Sequence, residues 1–457
     1  MQGIDVGRLI EQAPLSSLHK KIIVACAILL VVDGYDVFIY GAVLPRLMDE
    51  WGLSPTEAGS LASWALFGMM GGALFFGPLG DRIGRKTCIT LCFTLFSAST
   101  FLNGFVTTPL TFGLLRFAAG LGCGGLMPNA VALTNEYAPK RIRSTLVALM
   151  FSGYAVGGMV AAGLAIYLLP AFGWPSMFFA AAVPLVCLPL ILKALPESIG
   201  FLIRKGDTET ARAHLRQLAP EANLPADAPL EYHEAKGAST SVGELFRQGR
   251  ALGTFAMWLS FFCCLLMVYG LSSWLPKLMV SAGYSLGSSL SFLLALSFGG
   301  MFGAISGGRL ADRFGLPRVV MAYFALGSAC LMLLGLNSPM PVLYLLIFIA
   351  GAGTTGTQIL LYACVAEFYT LSVRSTGLGW ASGMGRVGAI VGPMLGGILL
   401  SAQLPMGWNF VAFAVPGFIS VAATALFTLS LRRQATVTAA ATPNTPAPET
   451  PERALTA

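Results

Sequence analysis

Apolar stretches about 20 residues long recur along this chain, each closed off by a short run of polar residues. Twelve of them begin near Ile22, Ala58, Thr87, Leu110, Ser144, Ser176, Ala251, Ser288, Arg318, Met340, Ser375 and Trp408. That length matches the hydrocarbon thickness of a bilayer, and in lipid a lone segment satisfies its backbone amides only as a helix. The pattern predicts an all-α polytopic membrane protein of twelve transmembrane helices. The residues before His19 are polar and lack the apolar run and small-residue cleavage site of a signal peptide, so the first span is expected to be retained.

Composition agrees with that pattern: 56% of residues are hydrophobic and only 11% are charged, with a mean hydropathy of +0.74. The net charge of +7 would suggest a nucleic-acid partner in a soluble chain. Here the cations are segregated. Of 28 Lys and Arg, Arg46 and Lys277 fall in loops of the outer side, Arg116 and Arg386 lie within spans, and the rest share the side of the N-terminus. The positive-inside rule then places both termini in the cytoplasm, as an even number of spans requires. No nucleic acid, cofactor or obligate protein partner is expected; the partners are the lipid bilayer and whatever is carried. All nine cysteines fall in or beside apolar spans, no disulfide is expected, and no histidine lies within a span to complete a metal site.

At an offset of 231 residues the chain aligns with itself without a gap. Leu44-Pro45-Arg46-Leu47-Met48 falls on Leu275-Pro276-Lys277-Leu278-Met279, and Asp81-Arg82-Ile83-Gly84 on Asp312-Arg313-Phe314-Gly315. Glu136 meets Glu367, and Arg143-Ser144-Thr145 meets Arg374-Ser375-Thr376. Two six-helix units in the same orientation follow, an arrangement that sets a binding site at the midplane between halves. The expected divisions are a first half at 1–195, a cytoplasmic linker at 196–250 with an amphipathic helix around Thr208 to Leu218, a second half at 251–431, and a disordered cytoplasmic tail at 432–457.

The loop after the second span reads Gly77-Pro78-Leu79-Gly80-Asp81-Arg82-Ile83-Gly84-Arg85-Lys86, and both it and its second copy carry the loop signature of the major facilitator superfamily. Asp81 is expected to meet a helix N-terminus, where free amides favour an anion, forming a gate that opens and closes with the transport cycle. Arg82, Arg85, Glu136, Arg143, Asp312, Glu367 and Arg374 are expected to share that gating role. In the second copy Leu316 and Pro317 replace Arg85 and Lys86, which weakens it.

Charges that break the repeat carry the most information. Asp33 and Asp36 stand opposite Cys264 and Met267, Arg116 opposite Ile347, and Arg386 opposite Ala155. A charge in mid-bilayer costs at least a few kcal/mol, so each argues for a polar cavity and a function. Asp33, Asp36 and Tyr40 share one helix face, and two adjacent carboxyls can take up a proton. The blander alternative for Asp36 is a buried ion pair with Arg116, which lies at similar depth. Arg116 and Arg386 are candidate receptors for a carboxylate, with a salt bridge inside the protein as the alternative for each. Tyr40, Trp64, Tyr154, Tyr269, Trp274 and Tyr362 are candidates to line the cavity.

The first span, Asp33-Gly34-Tyr35-Asp36 followed by Gly41 and Pro45, resembles that of the aromatic acid:proton symporters, a bacterial branch of the major facilitator superfamily. The resemblance continues through Arg116, Asn135-Glu136-Tyr137, Arg143, Glu367, Arg374 and Arg386, and is strongest toward benzoate transporters from Asp33 to Pro45 and from Pro139 to Gly163. It implies uptake of a small aromatic carboxylate, benzoate or a hydroxybenzoate, with a proton across the bacterial inner membrane. It also implies that Asp33, Asp36, Asp81, Arg116, Glu136, Arg374 and Arg386 matter for transport. Pro196-Glu197-Ser198 keeps a sugar or organic-cation porter in view, although Ile199 and Gly200 depart from the sugar-porter pattern and two intramembrane arginines disfavour a cation. An aromatic-acid sensor in chemotaxis is a further alternative, set against cytoplasmic segments too short for a signalling domain. No span holds a nucleophile–base pair, so an enzyme is not expected.

Overall fold

The computed structural model describes residues 4–139, 141–221, 225, 228–232, 242–247, 249–336, 338–369 and 373–441. Among the described residues, twelve helices are long and apolar enough to cross a membrane. They are α1 (Ser17–Trp51), α2 (Pro55–Ile83), α3 (Arg85–Leu102), α4 (Pro109–Tyr137), α5 (Arg143–Phe172) and α6 (Pro175–Ala194) in the first half. In the second half they are α7 (Ala251–Ser281), α8 (Leu286–Phe314), α9 (Leu316–Leu333), α10 (Met340–Phe368), α11 (Arg374–Ser401) and α12 (Met406–Ala441). Every expected span is present, its start within a turn or so of the position read from hydropathy.

Local chemistry sets the ends. Ser54 and Glu57 form a capping box with Pro55 in the first turn of α2, and Thr108 and Ser285 cap α4 and α8. Gly84 and Gly315, equivalent in the repeat, turn the chain between spans at φ +98° and +85°, a region that side chains rarely adopt. Two spans are less regular than hydropathy suggests. α6 breaks between Pro175–Phe179 and Ala182–Ala194, and Ala352–Gly356 of α10 winds as a π-helix.

The repeat is visible in the packing. α1 lies on α5 as α7 lies on α11, and α2 on α4 as α8 on α10. The halves meet through two equivalent helix pairs, α2 with α11 and α5 with α8. Gly41 abuts Ser272, its own counterpart in the repeat, so closely that a Cβ on Gly41 would sit 1.8 Å from the Ser272 carbonyl oxygen. The axis relating the halves passes there.

The α2–α11 pair is tight at one end and open at the other. Away from the termini, a Cβ on Gly59 would lie 2.6 Å from the Pro393 carbonyl oxygen and one on Gly397 2.4 Å from that of Pro55. There Thr56 and Ser401 join hydroxyls at 3.1 Å and Ser63 donates to the Ile390 carbonyl at 2.8 Å. Toward the termini, Cβ atoms on Gly77, Gly379 and Gly383 would meet nothing within 4 Å. This helix pair is therefore in contact at its end away from the termini and has open space at the end that bears them.

The linker docks onto the first half. It holds helices Ile199–Lys205 and Thr208–Leu218, the latter burying Ala211, Leu215 and Leu218 as its amphipathic pattern requires. Residues Leu230–Glu231 pair in parallel with Ile4–Asp5. The last helix runs to Ala441, past the expected boundary at 431, because the Ala- and Thr-rich residues there contain no Gly or Pro before Pro443. The expected disorder of 442–457 lies outside the described residues.

Candidate functional site

Asp36 and Arg116 form a buried ion pair. The Arg116 Nη1 donates to Asp36 Oδ1 at 2.6 Å and its Nη2 to the Asp36 backbone carbonyl at 3.2 Å, while Thr100 Oγ1 donates to the same Oδ1 at 2.8 Å. Both charged side chains are only 3% exposed. Such extra hydrogen bonds help to offset the cost of burying two charges. The sequence alternative of an Asp36–Arg116 pair is therefore what the fold adopts, and Arg116 has its charge matched within the protein.

Asp33, one turn earlier, differs. It is fully buried, and neither carboxylate oxygen has a hydrogen-bond partner among the described residues. The Cys123 thiol lies beside it, and Arg386 is the cation that reaches it from the second half. In the repeat this acid–thiol pair becomes Cys264 with Thr354, where Cys264 donates to the Thr354 carbonyl in the π-helical turn at 3.6 Å. The first half thus holds an acid where the second holds only weak dipoles.

Arg386 is half-buried and makes no hydrogen bond or ion pair among the described residues. Its guanidinium also interacts with Tyr154 and Tyr269. These two tyrosines join hydroxyls across the halves at 3.4 Å. Gly34 makes this possible, since a Cβ there would lie 2.1 Å from the Tyr154 carbonyl oxygen and force α5 away from Asp33. Asp33, Arg386, Tyr154 and Tyr269 thus surround one point between the halves.

Beside that point Asp36, Val37, Tyr40, Met69, Arg116, Tyr269 and Ser273 line a narrow pocket. Tyr40 is only partly as expected: it lines the pocket, but its hydroxyl is spent on the Ala58 carbonyl at 2.6 Å. Trp274 belongs to the packing instead. It is wholly buried, lies under Gly396 and donates to the Pro393 carbonyl at 2.8 Å. Trp64 packs against Gly113, and Tyr362 against Phe261 near Tyr269.

The gating residues divide by half. Asp81, with its side chain 57% exposed, pairs with Arg85. Arg85 also donates to Glu136 at 3.4 Å and to Asn129 at 3.1 Å. The carboxylate at a helix N-terminus is not Asp81 but Glu197 of the linker, whose Oε1 accepts from the Lys86 backbone amide at 3.0 Å. The turn at Gly84 aims the Lys86 amide, in the first turn of α3, at the linker, while Arg85 draws Asp81 aside. Arg82, Asp312 and Glu367 are exposed. Arg143 donates to the Ala138 carbonyl at 3.3 Å, and the Nε atoms of Arg143 and Arg374 are buried without partners among the described residues.

Sequence reasoning missed the linker's role. Tyr137 donates to the Glu197 carbonyl at 2.5 Å, so His214 Nδ1, 3.2 Å from the same hydroxyl, must carry a hydrogen and donate. Burial and the nearby Lys86 hold the His214 imidazole below its ordinary pKa. Arg204 donates to the Asp81 carbonyl at 3.1 Å. The reading also missed Thr100. Its opposite number in the repeat is Leu331, the same symmetry break that marked Asp36.

The sequence profile of the Major Facilitator Superfamily matches residues 26–369 and 297–456. A benzoate transport protein of Acinetobacter baylyi is 46% identical over 425 residues, covering 92% of this chain and 91% of that protein. A gentisate transporter of Corynebacterium glutamicum is 37% identical, covering 89% of this chain and 87% of its own length. Among solved structures, a partially occluded inward-open form of the xylose transporter XylE from E. coli superposes with a TM-score of 0.68 at 18% identity. That match covers 89% of this chain and 97% of XylE, and it speaks to the fold alone.

Proposed function

The chain belongs to the Major Facilitator Superfamily as a multi-pass membrane transporter, and from that premise we propose that it takes up benzoate, or a hydroxybenzoate, with a proton across the bacterial inner membrane. The face bearing the termini is cytoplasmic, in line with the cations gathered there, and the conformation described here is open to the inside.

The observation that carries this reading is the unequal state of the two buried arginines. Arg116 is matched by Asp36, whereas Arg386, between the halves, makes no hydrogen bond or ion pair among the described residues, and stands beside two tyrosines and an acid that likewise has no hydrogen-bond partner among them. A carboxylate accepts a bidentate hydrogen bond from such a fork, and Tyr154 and Tyr269 flank the place its ring would enter. Asp33 supplies the coupling. Ionised, it competes with the substrate carboxylate for Arg386; protonated, it releases Arg386 to the substrate. The substrate therefore travels with a proton, and the halves rock about the axis at Gly41 and Ser272. The xylose carrier's likeness adds nothing toward a sugar, being confined to the fold.

The test is uptake of radiolabelled benzoate by cells producing the protein, with and without a protonophore and with 4-hydroxybenzoate as competitor. Protonophore-sensitive uptake lost in Arg386→Ala supports the proposal; a producing, membrane-inserted protein that takes up neither acid refutes it. Alternating access is tested by Thr56→Cys with Ser401→Cys: oxidation should tie the outer ends together and halt uptake until a reductant is added. Uptake unaffected by a demonstrated cross-link would rule out rocking at that end.

A further inference from the structure

Four polar residues of the first half replace apolar ones at equivalent positions of the second: Asp36 for Met267, Thr100 for Leu331, Asn103 for Leu334 and Arg116 for Ile347. They lie together. Thr100 donates to Asp36, and Arg116 pairs with it. Asn103 lies one turn beyond Thr100, just past the end of α3, where the turn Asn103–Phe105 packs on α4, the helix of Arg116. Asn103 is wholly buried, and neither its Nδ2 nor its Oδ1 has a partner among the described residues; the Nε of Arg116 is likewise unpartnered. Buried amides are kept in proteins where something hydrogen-bonds to them, ordered water included. The stripe begins at the closed outer end of the first half, next to the exposed Phe105, and runs inward to Asp36.

Ser97, on the same helix face, is also buried without a partner among the described residues, but so is Ser328, its counterpart. A feature present in both halves does not distinguish the half that holds the acids, so Ser97 is set aside.

We propose that Asn103 and Thr100 form a hydrated proton-entry route from the outer face to Asp36 and on to Asp33, separate from the path the substrate takes between the halves. Asn103 holds water through its amide. Thr100 passes the proton: its oxygen accepts an excess proton carried in on that water, which is left neutral, while its own hydrogen moves to Asp36 Oδ1; once Asp36 has given the proton on, rotation of the hydroxyl restores the starting arrangement. Asp33, Tyr35, Tyr40, Arg116 and Cys123 are the titratable or charged groups facing this end of the route, with Arg386 facing Asp33 from α11. The route would let protons reach the acids while the central cavity is shut on the outside, as it is here. The inference rests on the proton-symport reading above.

The experiment uses the full-length protein in proteoliposomes, measuring benzoate accumulation driven by a pH gradient beside benzoate counterflow, an exchange that needs no net proton movement. Asn103→Leu installs the residue the second half carries, and Thr100→Val is nearly isosteric. Each should lower gradient-driven accumulation by about tenfold, the loss expected for one hydrogen bond to a charged group. Counterflow should stay near wild type, Thr100→Ser should restore accumulation, and Ser97→Ala should change neither. Accumulation equal to wild type in both variants would overturn the route, as would counterflow falling in step with accumulation, the mark of a merely structural role. If wild type shows counterflow but neither accumulates benzoate nor moves protons with it, symport itself fails, and the route with it.

Discussion

The two halves share one plan of helices and differ in where they keep charge. In the first, Asp36, Arg116 and Thr100 form a buried network beside an unpartnered Asp33, and Arg85 gathers Asp81, Asn129 and Glu136 at the termini face. In the second, the same positions hold Met267, Ile347, Leu331, Cys264 and Leu316, and Glu367 is exposed. The second half adds one mid-span charge of its own, Arg386, opposite Ala155. In the mechanism proposed above, the duplicated scaffold supplies the hinge and departures from the duplication supply the chemistry, one half handling protons and the other holding an anion.

The sharpest way to break this comparison is to make the first half resemble the second. Asp36→Met alone leaves Arg116 buried without its carboxylate and should cost about 3–5 kcal/mol, seen as a lower melting temperature in detergent. Adding Arg116→Ile should recover most of that stability, because the pair then matches Met267 and Ile347, yet uptake should stay lost. A double variant as unstable as the single one would show that the pair is structural. Arg386→Ala should act oppositely: with no partner left stranded, stability should hold, while benzoate affinity measured by calorimetry should fall by about 1.5–3 kcal/mol. Smaller still is the contrast at the termini face. Glu136→Gln removes a charge from the Arg85 cluster and should cost about 1 kcal/mol, whereas the equivalent Glu367→Gln, exposed, should change stability by less than about 0.5 kcal/mol. Equal effects would mean that the two loop copies work alike.

Much of this was legible in the sequence because bilayer and repeat act directly on residue order. Span length follows from hydrocarbon thickness, and the offset of 231 singles out Asp33, Asp36, Arg116 and Arg386 without any structure. The amphipathic helix Thr208–Leu218 was equally plain from its period. What the sequence left open was which arginine is free, because pairing is decided by helix rotation and depth, and only the folded chain puts Thr100 and Arg116 on the same oxygen. It also left Glu197 and His214 unassigned, since their contacts with α3 and Tyr137 link distant segments. The π-helical turn Ala352–Gly356 follows a glycine-rich pattern that its α-helical counterpart in α4 shares.

The central claim is that one acid, Asp33, ties proton to substrate through Arg386. The most direct measurement is benzoate affinity of the purified protein as a function of pH, in wild type and in Asp33→Asn. If the claim holds, wild-type affinity weakens as pH rises, because the ionised Asp33 takes Arg386 from the substrate, and Asp33→Asn binds with an affinity that no longer follows pH. The same pH dependence in both proteins would contradict it and move the coupling proton elsewhere.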